Sequence, residues 1–528
     1  MQLFPYVEVR PIQYEMMDTI EEAIASQKCA ILDAPTGIGK TAAALTPALE
    51  HALKDELSVF FLTSRHTQHR LVVDTVRAIS KKHSKKIGVA DFIGKKHMCG
   101  QDGVDAFRAG EFLEYCKKLR ENRQCAFYEN FGSPGKPSPK AQLAVKQILS
   151  ANPMHVEEIT EFSKGQVLCP YETAGLLGSK SSLIICDYAM IFHPQMRQSI
   201  MNRTKKELSR SIIIVDEAHN LSSRLRDMMS SQTSTLAIKR ALREAIKLED
   251  DNLIDALNDL IKGLEEFSNQ FEQESIIAKR ELVELIDGDV EMLISQLQRG
   301  AEIVHETQQH SFLAGLAEFL AGWMREDEGF VRLVNKYRFK KELNVTIRFR
   351  CLDPGIWTVP VIQEARSTIM MSGTLHPTFM YKDIFNFPKD TVEKSYQSPF
   401  PRENRLCLVM PEVTTRYQRR SPKEFEKIAK ICADISNKVP GNVAIYFPSY
   451  HLRDEVHRIF SPQSKKRFFI EMPNMTKKEK AAFIEEFKAC YPKAVLLGVA
   501  GGNFSEGIDI EGNKLKAAIV VGLPLEHP

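Results

Sequence analysis

The segment Ala34-Pro35-Thr36-Gly37-Ile38-Gly39-Lys40-Thr41 constrains this chain more than any other stretch. It follows an apolar run, Cys29-Ala30-Ile31-Leu32, and precedes a helical pattern from Ala42 to Leu53. A strand, a glycine-bearing turn and a helix in that order make a cradle for phosphate. The glycines let backbone N–H groups close around phosphate oxygens, and the helix N-terminus adds positive potential. Thr36, Gly37 and Gly39 shape the loop, Lys40 reaches the terminal phosphates, and the Thr41 hydroxyl can ligate magnesium. Ala34 stands where the usual pattern has its first glycine. The segment predicts a parallel α/β sheet that binds a nucleotide's phosphates at the carboxyl ends of its strands.

Other strand-like runs end in loops with chemical content. Val59-Phe60-Phe61-Leu62 leads into Thr63-Ser64-Arg65, and Ser182 to Cys186 repeats the pattern. Ile212-Ile213-Ile214-Val215 ends at Asp216-Glu217-Ala218-His219. A carboxylate at a strand end can hold magnesium, which is the role expected of Asp216. Its neighbour Glu217 can orient or deprotonate the attacking water. His219 sits where it could connect the nucleotide to a nucleic-acid face. Arg10 and Gln13 precede the first helical segment and are expected to contact the base or that edge of the pocket.

The sheet pattern stops after His219 and resumes near Pro354. No proline occurs from residue 195 to 353, although the chain has 25 elsewhere. Ile254, Leu257, Ile261, Leu264 and Phe267 recur at helical spacing, so this stretch reads as a helical insertion. A run at Thr368-Ile369-Met370-Met371 returns to the sheet. A second α/β unit follows from about residue 395. Its expected strands are Asn442 to Phe447, Ala494 to Val499 and Ala517 to Val521, with helices from Glu424 to Ile435 and Lys477 to Cys490.

A length of 528 residues suggests about three to four domains. The 71 basic and 68 acidic residues nearly cancel, so any nucleic-acid groove must come from local clustering of charge. No apolar run approaches the roughly 18–20 residues of a membrane span, and the first residues lack a secretion signal. An intracellular protein is expected, cytoplasmic and nucleoid-associated in a prokaryote or nuclear in a eukaryote.

Four of the ten cysteines, Cys99, Cys116, Cys125 and Cys169, fall within residues 99–169, a window lying between the Arg65 and Asp216 loops. Four thiolates can hold an iron–sulfur cubane, and zinc would also accept them, although the paired Cys-x-x-Cys spacing of zinc ribbons is absent. Cys29 and Cys186 lie in apolar runs and read as core residues.

Together these boxes resemble the superfamily 2 helicases. Ser64-Arg65-His66-Thr67-Gln68 resembles the box that contacts the nucleic-acid backbone, and Ser372-Gly373-Thr374 the box that couples hydrolysis to movement. Phe447-Pro448-Ser449-Tyr450 is similar to the box opening the second motor domain, and Ser505-Glu506-Gly507-Ile508-Asp509 to the one facing both nucleotide and DNA. Within the superfamily they point to the XPD-type (xeroderma pigmentosum group D) helicases, to which the bacterial DinG type is related.

The resemblance implies an α/β fold of two RecA-like motor domains with an iron–sulfur insertion and a helical arch. The first motor domain would comprise residues 1–90, 171–220 and 351–394, the iron–sulfur domain 91–170, the arch 221–350, and the second motor domain 395–528. It implies ATP, Mg2+ and a [4Fe–4S] cluster on Cys99, Cys116, Cys125 and Cys169. It also implies nucleotide contacts from Gly507 and Asp509, and DNA contacts from Arg65, Thr67, Ser449, Tyr450 and Ser505. The expected activity is ATP-dependent 5′-to-3′ travel on single-stranded DNA and unwinding of forked DNA by a monomeric motor, in DNA repair and with repair-complex partners. The family's Gln-x-x-Gly-Arg-x-x-Arg box does not occur. The chain is therefore expected to be C-terminally truncated and, as it stands, weak or inactive in hydrolysis.

Overall fold

The structure, a computed structural model, describes residues 2–523 apart from 108, 134, 152, 287, 309, 340, 341, 506–509 and 511. The chain divides into two units, Met1–Pro399 and Phe400–Pro528. The division falls a few residues beyond the expected 394, because the strand Val392–Ser395 pairs with the first sheet.

Chain order in the first unit begins with β1 (Ala30–Asp33), β2 (Ser58–Leu62) and β3 (Val89–Asp91). A two-residue ribbon follows, β4 (Gly132–Ser133) with β5 (Lys136–Pro137), then β6 (Leu183–Cys186) and β7 (Ser211–Asp216). After an intervening antiparallel sheet come β12 (Ser367–Ser372) and β13 (Val392–Ser395). The main sheet is parallel throughout, in the order β13-β1-β12-β7-β2-β6-β3.

Its inner strands are apolar on both faces because both faces are covered, while the edge strand β13 is polar and partly exposed. Ile31, Phe60, Leu62, Ile184, Ile213, Val215 and Met370 point into one core. Their neighbours Leu32, Val59, Phe61, Ile185, Ile212, Ile214, Ile369 and Met371 point into the other. β3 extends this sheet to its edge, and Val145, Ile148, Val156 and Ile159 pack into the first of these cores. Much of the 91–170 region is thus anchored on the motor sheet. Its own core is small: Phe131, Ala141, Ala144 and Leu168, with Phe162, Cys169 and Leu176 against them.

The 221–350 region differs from a purely helical arch. Besides helices such as Asp251–Ser268 and Val290–Thr307, it holds a four-stranded antiparallel sheet. Its strands are β8 (Ser231–Ser234), β9 (Ser275–Ile276), β10 (Phe330–Phe339) and β11 (Glu342–Cys351), in the order β8-β11-β10-β9. The helical face Leu253, Leu257, Leu260, Ile261, Leu264 and Phe267 packs with Val345, Ile347 and Phe349 of β11 in one core. Helix and sheet each bury a face that neither could bury alone.

The second unit carries β14 (Asn442–Phe447), β15 (Arg467–Ile470), β16 (Ala494–Val499) and β17 (Leu515–Val520). They form a parallel sheet in the order β15-β16-β14-β17. The helix Pro422–Lys438 encloses the first expected one, and Lys477–Ala489 stops one residue short of the second, with Cys490 as its C-cap. Tyr450–Phe460 and β15 complete the unit.

Candidate nucleotide site and cysteine pocket

The phosphate loop leaves β1 and turns through Gly37 (φ 82°) and Gly39 (φ 85°), a region that favours glycine, before the helix Lys40–Lys54 begins. Lys40 and Thr41 are buried at the helix start, and Asp216 is buried at the end of β7. Lys40 is close enough to Asp216 to pull its pKa down. Burial and the neighbouring Glu217 charge win, and the Asp216 carboxyl is pushed up to about 7. Nucleotide phosphates, Lys40 and a divalent cation would meet at that carboxyl. Thr41 supplies the oxygen expected of a second protein ligand.

Arg10 and Gln13 lie against the loop. Arg10 Nη1 donates to the Gly37 carbonyl at 3.0 Å, and Gln13 Oε1 accepts from the Arg10 N–H at 3.1 Å. The Gln13 amide occupies the space beside Gly39, where a Cβ would clash with its Nε2.

β12 is joined to this site directly. Ser372 Oγ donates to Glu217 Oε2 at 3.0 Å, and His219 Nδ1 lies 2.7 Å from the same hydroxyl. A hydroxyl has one proton, so with Glu217 as its acceptor His219 is the donor. The Ala34 N–H donates to the Ser372 carbonyl at 2.8 Å, and the Leu375 N–H to Asp33 Oδ1 at 3.2 Å. A Cβ on Gly373 would sit 2.9 Å from the Thr36 methyl. The Ser-Gly-Thr segment is therefore packed on the phosphate loop and hydrogen-bonded to the acidic box.

Tyr188, which sequence reasoning did not single out, ties the acidic box to the loop that carries Ser64. Its fully buried hydroxyl donates to the Asp216 carbonyl and is 3.1 Å from the Glu217 carbonyl. Ser64 is a further hydrogen-bond partner. The only signal in the sequence was a tyrosine just past the apolar run ending at Cys186. Glu217 itself adopts a left-handed conformation (φ 49°), which turns its carboxylate toward Ser372.

The remaining expected residues fall into three groups. Arg65 caps the helix His66–His83 in extended conformation, and Thr67 is exposed on its first turn. In the second unit, Ser449 Oγ caps its helix by accepting from Leu452 N at 3.3 Å, and Tyr450 Oη donates to Glu471 Oε1 at 3.1 Å. Ser505 Oγ donates to the Gly502 carbonyl at 3.1 Å. Gly507 and Asp509 lie outside the described residues.

Cys99, Cys116, Cys125 and Cys169 line one cavity of about 380 Å³, counting what opens to solvent. Phe112, Phe127, Tyr128 and Tyr171 close it, with Lys95 and Arg120 at its wall. Burial pushes the Cys99 thiol up, and the neighbouring Cys116 and Cys125 add to the effect. Burial also pushes Cys169 up to about 12. Among the described residues, no three His, Cys, Asp or Glu side chains converge tightly enough to ligate one metal ion. Several nearby cations are engaged by protein: Lys96 with the Asp105 carbonyl, Lys118 with the His305 carbonyl, and Arg120 over the Tyr128 ring. Cys29 and Cys186 are buried, as their apolar surroundings suggested.

Residues 61–238 match the DEAD_2 family model, residues 10–102 the DEAD/DEAH box helicase model, and residues 432–528 the helicase C-terminal domain model. The chain is 23% identical to the general transcription and DNA repair factor IIH helicase subunit XPD/RAD3 of Saccharomyces cerevisiae, across 99% of this chain and 80% of that protein. It is 22% identical to the ATP-dependent DNA helicase CHL1 of Yarrowia lipolytica, across 92% of this chain and 67% of that one. A solved XPD helicase superposes with a TM-score of 0.64 at 19% identity, covering 98% of this chain and 86% of the other. That structural likeness is one of fold, a parallel-sheet architecture with two RecA-like domains. With these helicase domains and relatives of XPD/RAD3 along its length, the chain belongs to the XPD/RAD3-type ATP-dependent DNA helicases.

Proposed function

We propose that this helicase moves 5′-to-3′ on single-stranded DNA and opens forked duplexes in DNA repair. The observation that carries the reading is the Glu217–Ser372–His219 network. It joins the carboxylate expected to activate water to the segment expected to transmit hydrolysis as movement. Lys40, with Thr36, Gly37, Gly39 and Thr41, holds the triphosphate. Arg10 and Gln13 brace the loop. Thr41 and Asp216 would hold magnesium, which neutralises phosphate charge when bound. Glu217 orients the attacking water, and His219 couples that site to DNA through Ser372. Arg65, Thr67, Ser449, Tyr450 and Ser505 contact the strand, mainly through its phosphates.

Cys99, Cys116, Cys125 and Cys169 would hold a [4Fe–4S] cluster. Support comes from four thiols around one aromatic-walled cavity, in a region with little core of its own. The cluster would supply folding energy to that region. No helix among the described residues is long and apolar enough to cross a membrane. The motor works as a monomer in this reading. Repair-complex partners follow from the yeast relative's name, which places that protein in a transcription and repair factor.

Strand displacement on duplexes with a 5′ or a 3′ single-stranded tail tests the proposal. However slow the turnover, the 5′-tailed duplex should open faster, and Lys40→Ala should open neither. Preferential opening of the 3′-tailed duplex would reverse the polarity. Displacement by Lys40→Ala would remove the site.

A further inference from the structure

Asp91, at the end of edge strand β3, takes no part in the nucleotide site, yet it is fully buried. One carboxylate oxygen lies 2.5 Å from His69 Nδ1, on the helix His66–His83, whose N-cap is Arg65 and whose first turn carries Thr67. The other accepts the Val156 N–H at 2.9 Å, the first residue of the helix Val156–Gly165. His155, equally buried, caps that helix with its Nε2 3.7 Å from the same oxygen.

Around this carboxylate the two helices are joined again at their surfaces. Arg70 reaches Glu157 at 3.1 Å, and Arg77 reaches Glu158 at 2.5 Å and the Pro153 carbonyl at 2.7 Å. The second helix runs on toward the cysteine cavity: Leu168 N–H donates to the Ser163 carbonyl at 2.9 Å, and Cys169 N–H to the Phe127 carbonyl at 2.8 Å. A buried carboxylate that accepts from two elements fixes both, because a lost partner would leave a desolvated charge behind.

We propose that Asp91 is a positioning residue that locks the Arg65–Thr67 helix to the helix leading into Cys169, so that strand binding at the first is felt at the cysteine cavity. The inference rests on the reading of Arg65 and Thr67 as DNA contacts.

Amide hydrogen exchange of the full 528-residue chain, with and without a dT20 oligonucleotide, tests it, with fluorescence anisotropy reporting oligonucleotide binding on the same samples. Wild type should gain protection over residues 156–169 when the oligonucleotide binds. Asp91→Asn should still bind the oligonucleotide but lose that gain. Should Asp91→Asn fail to fold, Arg77→Met, altered at the partly exposed side of the same junction, should show a reduced gain. A gain preserved in either folded variant would overturn the coupling, as would bound oligonucleotide with no protection in wild type. Absence of oligonucleotide binding to wild type would refute the DNA reading first, and the inference with it.

Discussion

The hydroxyl of Ser372, at the end of β12, donates to the carboxylate of Glu217, just past β7, across 155 residues of sequence and 3.0 Å of space. His219 completes the contact from the other side. Because β12 also receives the Ala34 N–H, the phosphate loop, the acidic box and the Ser-Gly-Thr segment are joined in one hydrogen-bonded layer. A change at the γ-phosphate therefore has a short path out of the pocket.

Ser372→Ala removes the donor that holds Glu217. A hydrogen bond to a charged group is worth about 1.5–3 kcal/mol. DNA-stimulated hydrolysis should fall by roughly ten- to a hundredfold if the contact persists in the transition state. Nucleotide affinity should change little, since the phosphate loop is untouched. Steady-state hydrolysis alongside nucleotide titration separates the two effects.

Gly373→Ala should be more damaging than the added methyl suggests. The new Cβ would press on the Thr36 methyl at 2.9 Å and push the loop and β12 apart. Overpacking of a tight contact costs about 1–3 kcal/mol. Thermal unfolding should show the loss, and nucleotide affinity should weaken with it. A variant as stable as wild type and unchanged in affinity would mean the contact is slack.

The Asp216 carboxyl supplies a pH test. Its pKa is raised from 3.8 to about 7 by burial and by Glu217. In the nucleotide-free protein the folded state thus holds a proton that the unfolded chain releases near pH 4. The stability this contributes is fully present below about 4 and is lost as pH rises through about 7. Magnesium nucleotide relieves the buried negative charge above that range. Its stabilisation of the protein should be larger at pH 8 than at pH 6, with proton release at the lower pH. Equal thermal shifts at both pH values would contradict the assignment.

For the cysteine cavity, anaerobically purified protein should contain iron and sulfide and absorb in the visible. Cys169→Ser should lose the metal and loosen the 91–170 region while leaving the main sheet folded. Because Cys169 is held protonated, with its pKa near 12, metal loading must expel its proton. Loading should therefore improve as pH rises. Stoichiometric zinc without iron would replace the cluster reading.

Much of this was legible from residues alone. Strands buried on both faces announce themselves as continuous β-branched runs, and Ile212 to Val215 did so plainly. The phosphate loop needs its glycines and lysine in fixed order, so Gly37, Gly39 and Lys40 could be named before any fold was known. The sheet inside 221–350 was hidden by its company. Val345, Ile347, Phe349 and Cys351 alternate with polar residues, a period of two that signals a half-buried strand. The long helical faces around it, and the lack of proline, drew the reading toward helix.

Tyr188 and Asp91 escaped for a different reason. Their importance lies in partners far along the chain, Glu217 for one and Val156 for the other, and no local pattern encodes such a meeting. Ser449 shows the converse. Its hydroxyl oxygen caps a helix, a structural duty the motif comparison did not reveal, while its proton remains available to a phosphate.

The central claim is that Lys40 and the Asp216–Glu217 pair converge on one magnesium-bound triphosphate. Titrating the chain with the magnesium complex of a non-hydrolysable ATP analogue tests it most directly, in wild type and in Lys40→Ala. Removing one partner of a buried charge contact costs about 2–5 kcal/mol. One site in wild type, weakened roughly thirtyfold or more in Lys40→Ala, is the result expected. Equal affinity in the two proteins would contradict the account.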